Sequence, residues 1–215
     1  MYKNNAGVPM KKIMKPIIVT AILTCSLPAA AELGFNPISK SAPGKVEGAA
    51  SFIMSSADYE SPGGDVDVDN TILAFSAAYG LNETLDIAAL VGLVTDFEAQ
   101  GASGDGDYLG VAVRGKIPSQ SLKNLHAYAQ YVMVDIEGLD EDMLTVGITN
   151  TYQVDQFTTY AGLELLLSDS GDLERSDSIT LRLGGDYDLG NNLKFNAGLA
   201  VLAETGLSIG ISKAF

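Results

Sequence analysis

Residues 205–215 (TGLSIGISKAF) constrain this chain more than any other stretch. Leu207, Ile209 and Ile211 alternate with Ser208, Gly210 and Ser212, and the run ends on Phe215. Successive side chains of a strand point to opposite faces, so this pattern predicts a strand with one apolar face and one small, polar face. A strand with no later partner must pair with an earlier one or leave an open edge. Closure into a barrel is the simplest solution, and it makes the first strand, near 45–55, the partner of the last. Lys213 interrupts the apolar face, a position from which a long side chain can snorkel toward water.

The other end of the chain suits export. Lys11, Lys12 and Lys15 precede an apolar run at 17–27, which is too short to span a bilayer as a helix. Pro28 then leads into Ala29-Ala30-Ala31, an A-x-A cleavage pattern. Residues 1–31 are therefore expected to be a secretory signal peptide, with Met10 as an alternative start. A lipid anchor at Cys25 is the rival reading, but Leu23-Thr24 makes a poor approach to it, since a small residue belongs directly before the cysteine. Cys25 is the chain's single cysteine. Its loss with the leader would leave no thiol for a disulfide, a metal or a nucleophile.

The charge balance narrows the partners. The whole chain carries a formal charge of −14, and the leader holds four lysines and no acid. The expected mature chain of 184 residues therefore has nine basic side chains against 27 acidic ones. That argues against nucleic acid or an anionic membrane surface as a partner. Hydrophobic residues make up 47% of the sequence, yet after the leader they fall in short alternating segments. A transmembrane barrel needs that distribution.

Residues 32–44 hold Pro37 and Pro43 and show no alternation, as expected of a periplasmic lead-in. The barrel is expected to occupy 45–215. Ten strands are predicted, at 45–55, 70–80, 84–95, 107–117, 124–136, 143–152, 157–168, 178–187, 193–203 and 205–215; eight or twelve are the alternatives. Their connections alternate in character. Those at 81–83, 154–156 and 188–192 are short, with 118–123 somewhat longer. Those at 57–69, 96–106, 137–142 and 169–177 are mostly longer and acidic. Glu204, between the last two strands, breaks this trend: either its hairpin is tight or one strand boundary lies elsewhere. A tyrosine stands before three of the short turns: Tyr79, Tyr152 and Tyr187. Tyrosines so placed would form an aromatic girdle at one interface.

The closing strand with its terminal Phe215, the tyrosine-bearing turns and the alternation of short turns with long acidic loops together resemble the bacterial outer-membrane β-barrel family. The resemblance covers nearly the whole expected mature chain and is one of architecture. It implies an all-β, antiparallel, up-and-down transmembrane barrel in the Gram-negative outer membrane. It implies outer-membrane lipid and lipopolysaccharide as surroundings. It also implies a barrel-assembly machinery for which Phe215 is the signal. Oligomeric state is left open.

Alternation assigns the faces. Leu109, Val111, Val113, Leu144, Val146, Ile148, Leu163, Leu165, Leu167, Ile179, Leu181, Leu183, Phe195, Leu199 and Val201 are expected outward. Asp86, Arg114, Lys116, His126, Tyr128, Gln130, Glu164, Arg182, Asp186, Lys194 and Asn196 are expected inward. Arg or Lys on the lipid face near midplane would cost about 2–4 kcal/mol, which turns Arg182 toward the lumen. A loop centred near Leu173 would set Glu164 opposite Arg182, with Gly147 and Gly198 beside the pair. The same reasoning sets Asp86 opposite Lys116. Glu164, Arg182, Arg114, Asp86 and Lys116 are therefore the candidate lumen residues. They would either form a selective constriction or satisfy one another as a polar plug.

Other chemistry is harder to build. Residues 101–106 (GASGDG) lack the Lys-Ser/Thr ending of a phosphate loop. Asp65, Asp67, Asp69, Asp105 and Asp107 lack the spacing and terminal glutamate of an EF-hand, and read as solvated loop acids. His126 is the single histidine, with no serine and carboxylate converging on it in sequence, so no enzyme is expected. Neither cofactor nor metal is expected. The functional expectation is a small outer-membrane barrel, either a porin-like passive channel or a structural barrel with a charged lumen. The alternative is a surface adhesion or interaction protein that uses the acidic loops. A soluble lipocalin-like barrel would reverse the two faces.

Overall fold

The computed structural model describes residues 41–61, 64–99, 102–122, 124–136, 139–170, 174–175 and 178–215. The expected signal peptide and residues 32–40 of the lead-in lie outside them. The elements are β1 (Val46–Ser61), β2 (Gly64–Gly80), β3 (Leu85–Ala99), β4 (Ala102–Lys116), β5 (Leu125–Ile136), β6 (Leu139–Val154), β7 (Phe157–Ser170), β8 (Glu174–Arg175), β9 (Ile179–Gly190), β10 (Leu193–Leu202) and β11 (Glu204–Ala214). Apart from the two-residue β8, they form a closed antiparallel barrel of ten strands. The first and last strands close it, from Glu47↔Ala214 to Ala57↔Glu204. Phe215 adds one more rung by donating its N–H to the Val46 carbonyl at 2.9 Å.

Every barrel strand contributes at least one large, exposed apolar side chain to the outer wall. Phe52, Phe75, Val91, Val111, Tyr131, Ile148, Leu163, Leu183, Phe195 and Ile209 follow one another around it. Soluble monomers rarely expose a contiguous apolar surface of this extent. A bilayer suits such a surface, because a closed ladder pairs its backbone groups strand to strand.

The two rims differ. The terminal rim carries both ends of the barrel and the short turns. Asn191 and Asn192 both take positive φ in the β9–β10 turn, as a two-residue hairpin of matching twist requires. Tyr79 and Tyr152 are exposed at this rim, and Tyr187 packs its ring 4.7 Å from that of Phe157. The opposite, far rim corrects the expected loop boundaries. Residues 57–69 are strand almost throughout, with Ala57↔Val68 and Asp58↔Asp67 in register. Aspartate and glycine are poor strand formers, which hid the continuation of the ladder. The β10–β11 hairpin is tight, with Leu202 at φ 90°. Above it, β8 pairs with the free edge of β1 at Tyr59↔Arg175 and Glu60↔Glu174. The chain after β7 thus covers an edge that the short hairpin leaves open.

Candidate functional site

The interior holds two kinds of lining. On β1 to β5 it is largely apolar. Ile53, Val68, Ile72, Leu90, Val94, Phe97, Val132 and Ile136 form one buried cluster. This corrects the expectation of a polar lumen. The reason is visible in residues 65–69 (DVDVD). Val68 is buried, while Asp67 and Asp69 are exposed. Toward the far rim the outer wall turns acidic, so alternation there runs acid-out and apolar-in. Asp96 and Glu98 are exposed beside buried Val94 and Phe97 in the same way.

Away from this cluster the interior carries charge, on β3 and β4 as well as on the later strands. Asp86 and Arg114 are directly opposed on β3 and β4. The Arg114 guanidinium donates from Nε to Asp86 Oδ1 at 3.2 Å and from Nη2 to Oδ2 at 2.5 Å. Their exposures are 0% and 1%. Lys116 does not take the expected place opposite Asp86. It is exposed at the end of β4, where its N–H donates to the Thr84 carbonyl. Two features shift the register by two residues. The β3–β4 hairpin turns tightly at Ala99↔Ala102, and a bulge lies between Val94 and Phe97.

Arg182 and Glu164 form the second ion pair, also two residues from the expected register. Arg182 lies opposite Gly162, and Glu164 opposite Thr180. The contact is therefore diagonal, within reach of long side chains. Arg182 Nε donates to Glu164 Oε2 at 3.1 Å, and Nη2 to Oε1 at 2.6 Å. Gly147 does lie opposite Glu164, but Gly198 lies opposite Gly184 rather than beside Arg182.

Two members join this cluster beyond the expected pair: Glu204, for which no inward place is expected, and Tyr128, expected inward but not as a partner of Glu164. Glu204 turns inward from the tight hairpin, is 3% exposed, and sets Oε2 3.6 Å from Arg182 Nη2. Its only signal was an acid in an otherwise small and apolar turn. Tyr128 donates its hydroxyl to Glu164 Oε2 at 2.8 Å from two strands away. A third contact, Lys194 to Asp186 at 3.9 Å, lies near the terminal rim.

Three inward tyrosines sit opposite glycines: Tyr108 on Gly92, Tyr128 on Gly147 and Tyr160 on Gly184. In each case a Cβ on the glycine would clash with the tyrosine ring, 2.0, 2.3 and 2.5 Å from its nearest ring atom. The rings thus lie across the wall and fill space that glycine leaves. Gln130 is buried beside them. His126 is buried near the terminal rim, opposite Lys116 and Thr149, and its Nδ1 has no hydrogen-bond partner among the described residues. Among those residues no group of three or more His, Cys, Asp or Glu side chains is placed to hold a metal ion.

No protein-family model and no curated protein matches this chain. Solved structures do. The translocator domain of autotransporter NalP from Neisseria meningitidis aligns at a TM-score of 0.52 and 12% identity, over 95% of this chain and 96% of that one. This chain folds as an outer-membrane β-barrel. An outer membrane channel from Pseudomonas putida F1 aligns at 0.48 and 11% identity, over 86% and 98% of the two chains. The KdgM porin aligns at 0.41 and 13%, over 80% and 99%. At these identities the likeness is one of fold.

Proposed function

We propose that this protein is a structural barrel of the Gram-negative outer membrane, closed to solutes at rest, that carries acidic strand extensions on its external side. The dryness of the inward side chains supports this reading most directly. Asp86, Arg114, Arg182, Leu90, Val132 and Ile53 are each no more than 2% exposed. Charges that line a conducting pore must be wetted to exchange with passing ions. Here each is spent on a neighbouring side chain, and an apolar cluster occupies the wall between the far rim and the middle. Asp67, Asp69, Asp96 and Glu98 face outward beyond the lipid-facing belt and would present a negative surface. Lipid and lipopolysaccharide surround the belt in this reading, and Phe215 serves assembly. The barrel does its work without cofactor or catalysis.

Planar-bilayer recording tests the closed state. Refolded protein of verified barrel structure should show no steady conductance. Persistent, regular steps in the unmodified protein would replace this reading with a porin-like channel.

A further inference from the structure

The chain leading into β1 does not leave the barrel at its rim. Ser41 is 2% exposed and donates its backbone N–H to Asp86 Oδ2 at 3.0 Å. Its hydroxyl donates to the Ala78 carbonyl at 3.2 Å. Gly44 donates its N–H to the Gly80 carbonyl at 2.8 Å, and Gly80 donates back to Lys45 at 3.0 Å. Lys45 closes a turn onto the Ala42 carbonyl at 2.9 Å, with Gly44 at φ +72°. Pro43 bridges in parallel to Gly80. We propose that residues 41–44 are a latch that closes the terminal mouth of the lumen, with the Asp86–Arg114 pair as its catch; this rests on the closed-barrel reading.

Three observations converge on a docked segment. First, Asp86 has more acceptor sites than Arg114 uses, and an amide N–H on a carboxylate is a charge-assisted bond. Second, the contact is shaped for the segment. A Cβ on Gly80 would lie 2.2 Å from the Ala42 carbonyl oxygen and 2.6 Å from that of Ser41. Glycine at 80 is what lets the latch lie flat on the end of β2. Third, the latch is separate from the barrel ladder. The β1–β2 and β1–β11 registers begin at Val46 and Glu47. Of the strand pairings, detachment of residues 41–44 therefore loses the Pro43–Gly80 bridge alone and leaves the β1–β2 and β1–β11 registers whole. Asp86 would keep Arg114 when they do, so the catch survives opening.

Two thiol probes in a Cys25→Ala background test the latch in the full chain. Ser41→Cys reports the latch itself. Ala112→Cys reports the lumen behind it, since Ala112 points inward one step along β4 from Arg114 and is 5% exposed. Both should react slowly with a water-soluble maleimide in folded, membrane-reconstituted protein. Adding Gly80→Val should speed both at least tenfold, with barrel content unchanged by circular dichroism. Where Gly80→Val fails to fold, Asp86→Asn provides the second release. Fast labelling of either probe in the glycine parent overturns the latch, as does slow labelling of both in every release variant. The bilayer recording of the unmodified protein judges the closed-barrel reading separately.

Discussion

Tyr128 crosses over Gly147, its cross-strand neighbour, and carries its hydroxyl to Glu164 on the strand beyond. One residue thereby fills the wall of β6 and fixes the carboxylate that pairs with Arg182. Substituting Gly147 by Ala should push the ring aside and leave Glu164 without the Tyr128 hydrogen bond. We expect a loss of about 1–3 kcal/mol, the usual range for overpacking. Tyr128→Phe keeps the ring and should cost about 1.5–3 kcal/mol through the missing bond to a charged acceptor. Urea unfolding of the reconstituted barrel measures both, and wild-type midpoints for both variants would refute the role given to Tyr128.

Arg182 stands between two carboxylates, Glu164 at 2.6 Å and Glu204 at 3.6 Å. Removing it leaves two acids facing each other in a dry interior. Arg182→Ala should therefore destabilise by about 3–5 kcal/mol. Glu204→Gln, which keeps shape and the stronger pair, should cost less. A double-mutant cycle of Arg182→Met with Glu164→Leu should show coupling on the order of 1–3 kcal/mol. Additive losses would mean that the pair does not interact in solution.

The polarity of the outer wall should change along the strands. Val111 is 60% exposed within the apolar belt. Val111→Arg there should cost about 2–4 kcal/mol and lower the folded fraction in bilayers. Asp69→Arg, beyond the belt, should shift stability by no more than about 0.5 kcal/mol. Equal costs at the two sites would place the membrane boundary elsewhere.

Toward the far rim, apolar residues point inward. Phe97 is 8% exposed inside the barrel, whereas adjacent Asp96 faces water. Phe97→Ala should cost about 3–5 kcal/mol, as truncation in a packed core does, while Asp96→Ala should be near neutral. Chemical denaturation distinguishes them. A neutral Phe97→Ala would show that this interior is wet.

Phe215 is 66% exposed, with Lys213 Nζ 5.4 Å from its ring centroid. It contributes little packing to the finished barrel. Phe215→Ala should therefore leave refolded stability almost unchanged yet reduce the amount assembled in cells. A matched loss of stability and yield would make its role structural instead of a signal.

The sequence by itself determined the closed antiparallel barrel and the faces of most strand residues it assigned, from Leu109 and Leu163 outside to Asp86 and Arg182 inside. Alternation has a period of two, so any register error of two residues leaves each side chain on its own face. Arg182 and Glu164 could thus be placed inside as an ion pair although their register is two residues from the expected one, and Asp86 and Arg114 could be placed inside although Asp86 was expected opposite Lys116. Register itself depends on bulges and turn tightness, at Val94–Phe97 and Ala99–Ala102 for example, and these leave no local mark. Only the tertiary structure could pair Asp86 with Arg114 instead of Lys116, or bring Glu204 and Tyr128 to Arg182 and Glu164. It also decided where the outer wall turns from apolar to acidic along β2 and β3. There the same alternation reverses its polarity, and Val68 and Phe97 become the inside of the molecule. A strand pattern is local chemistry, whereas the solvent on each side of the strand is a property of the assembled wall.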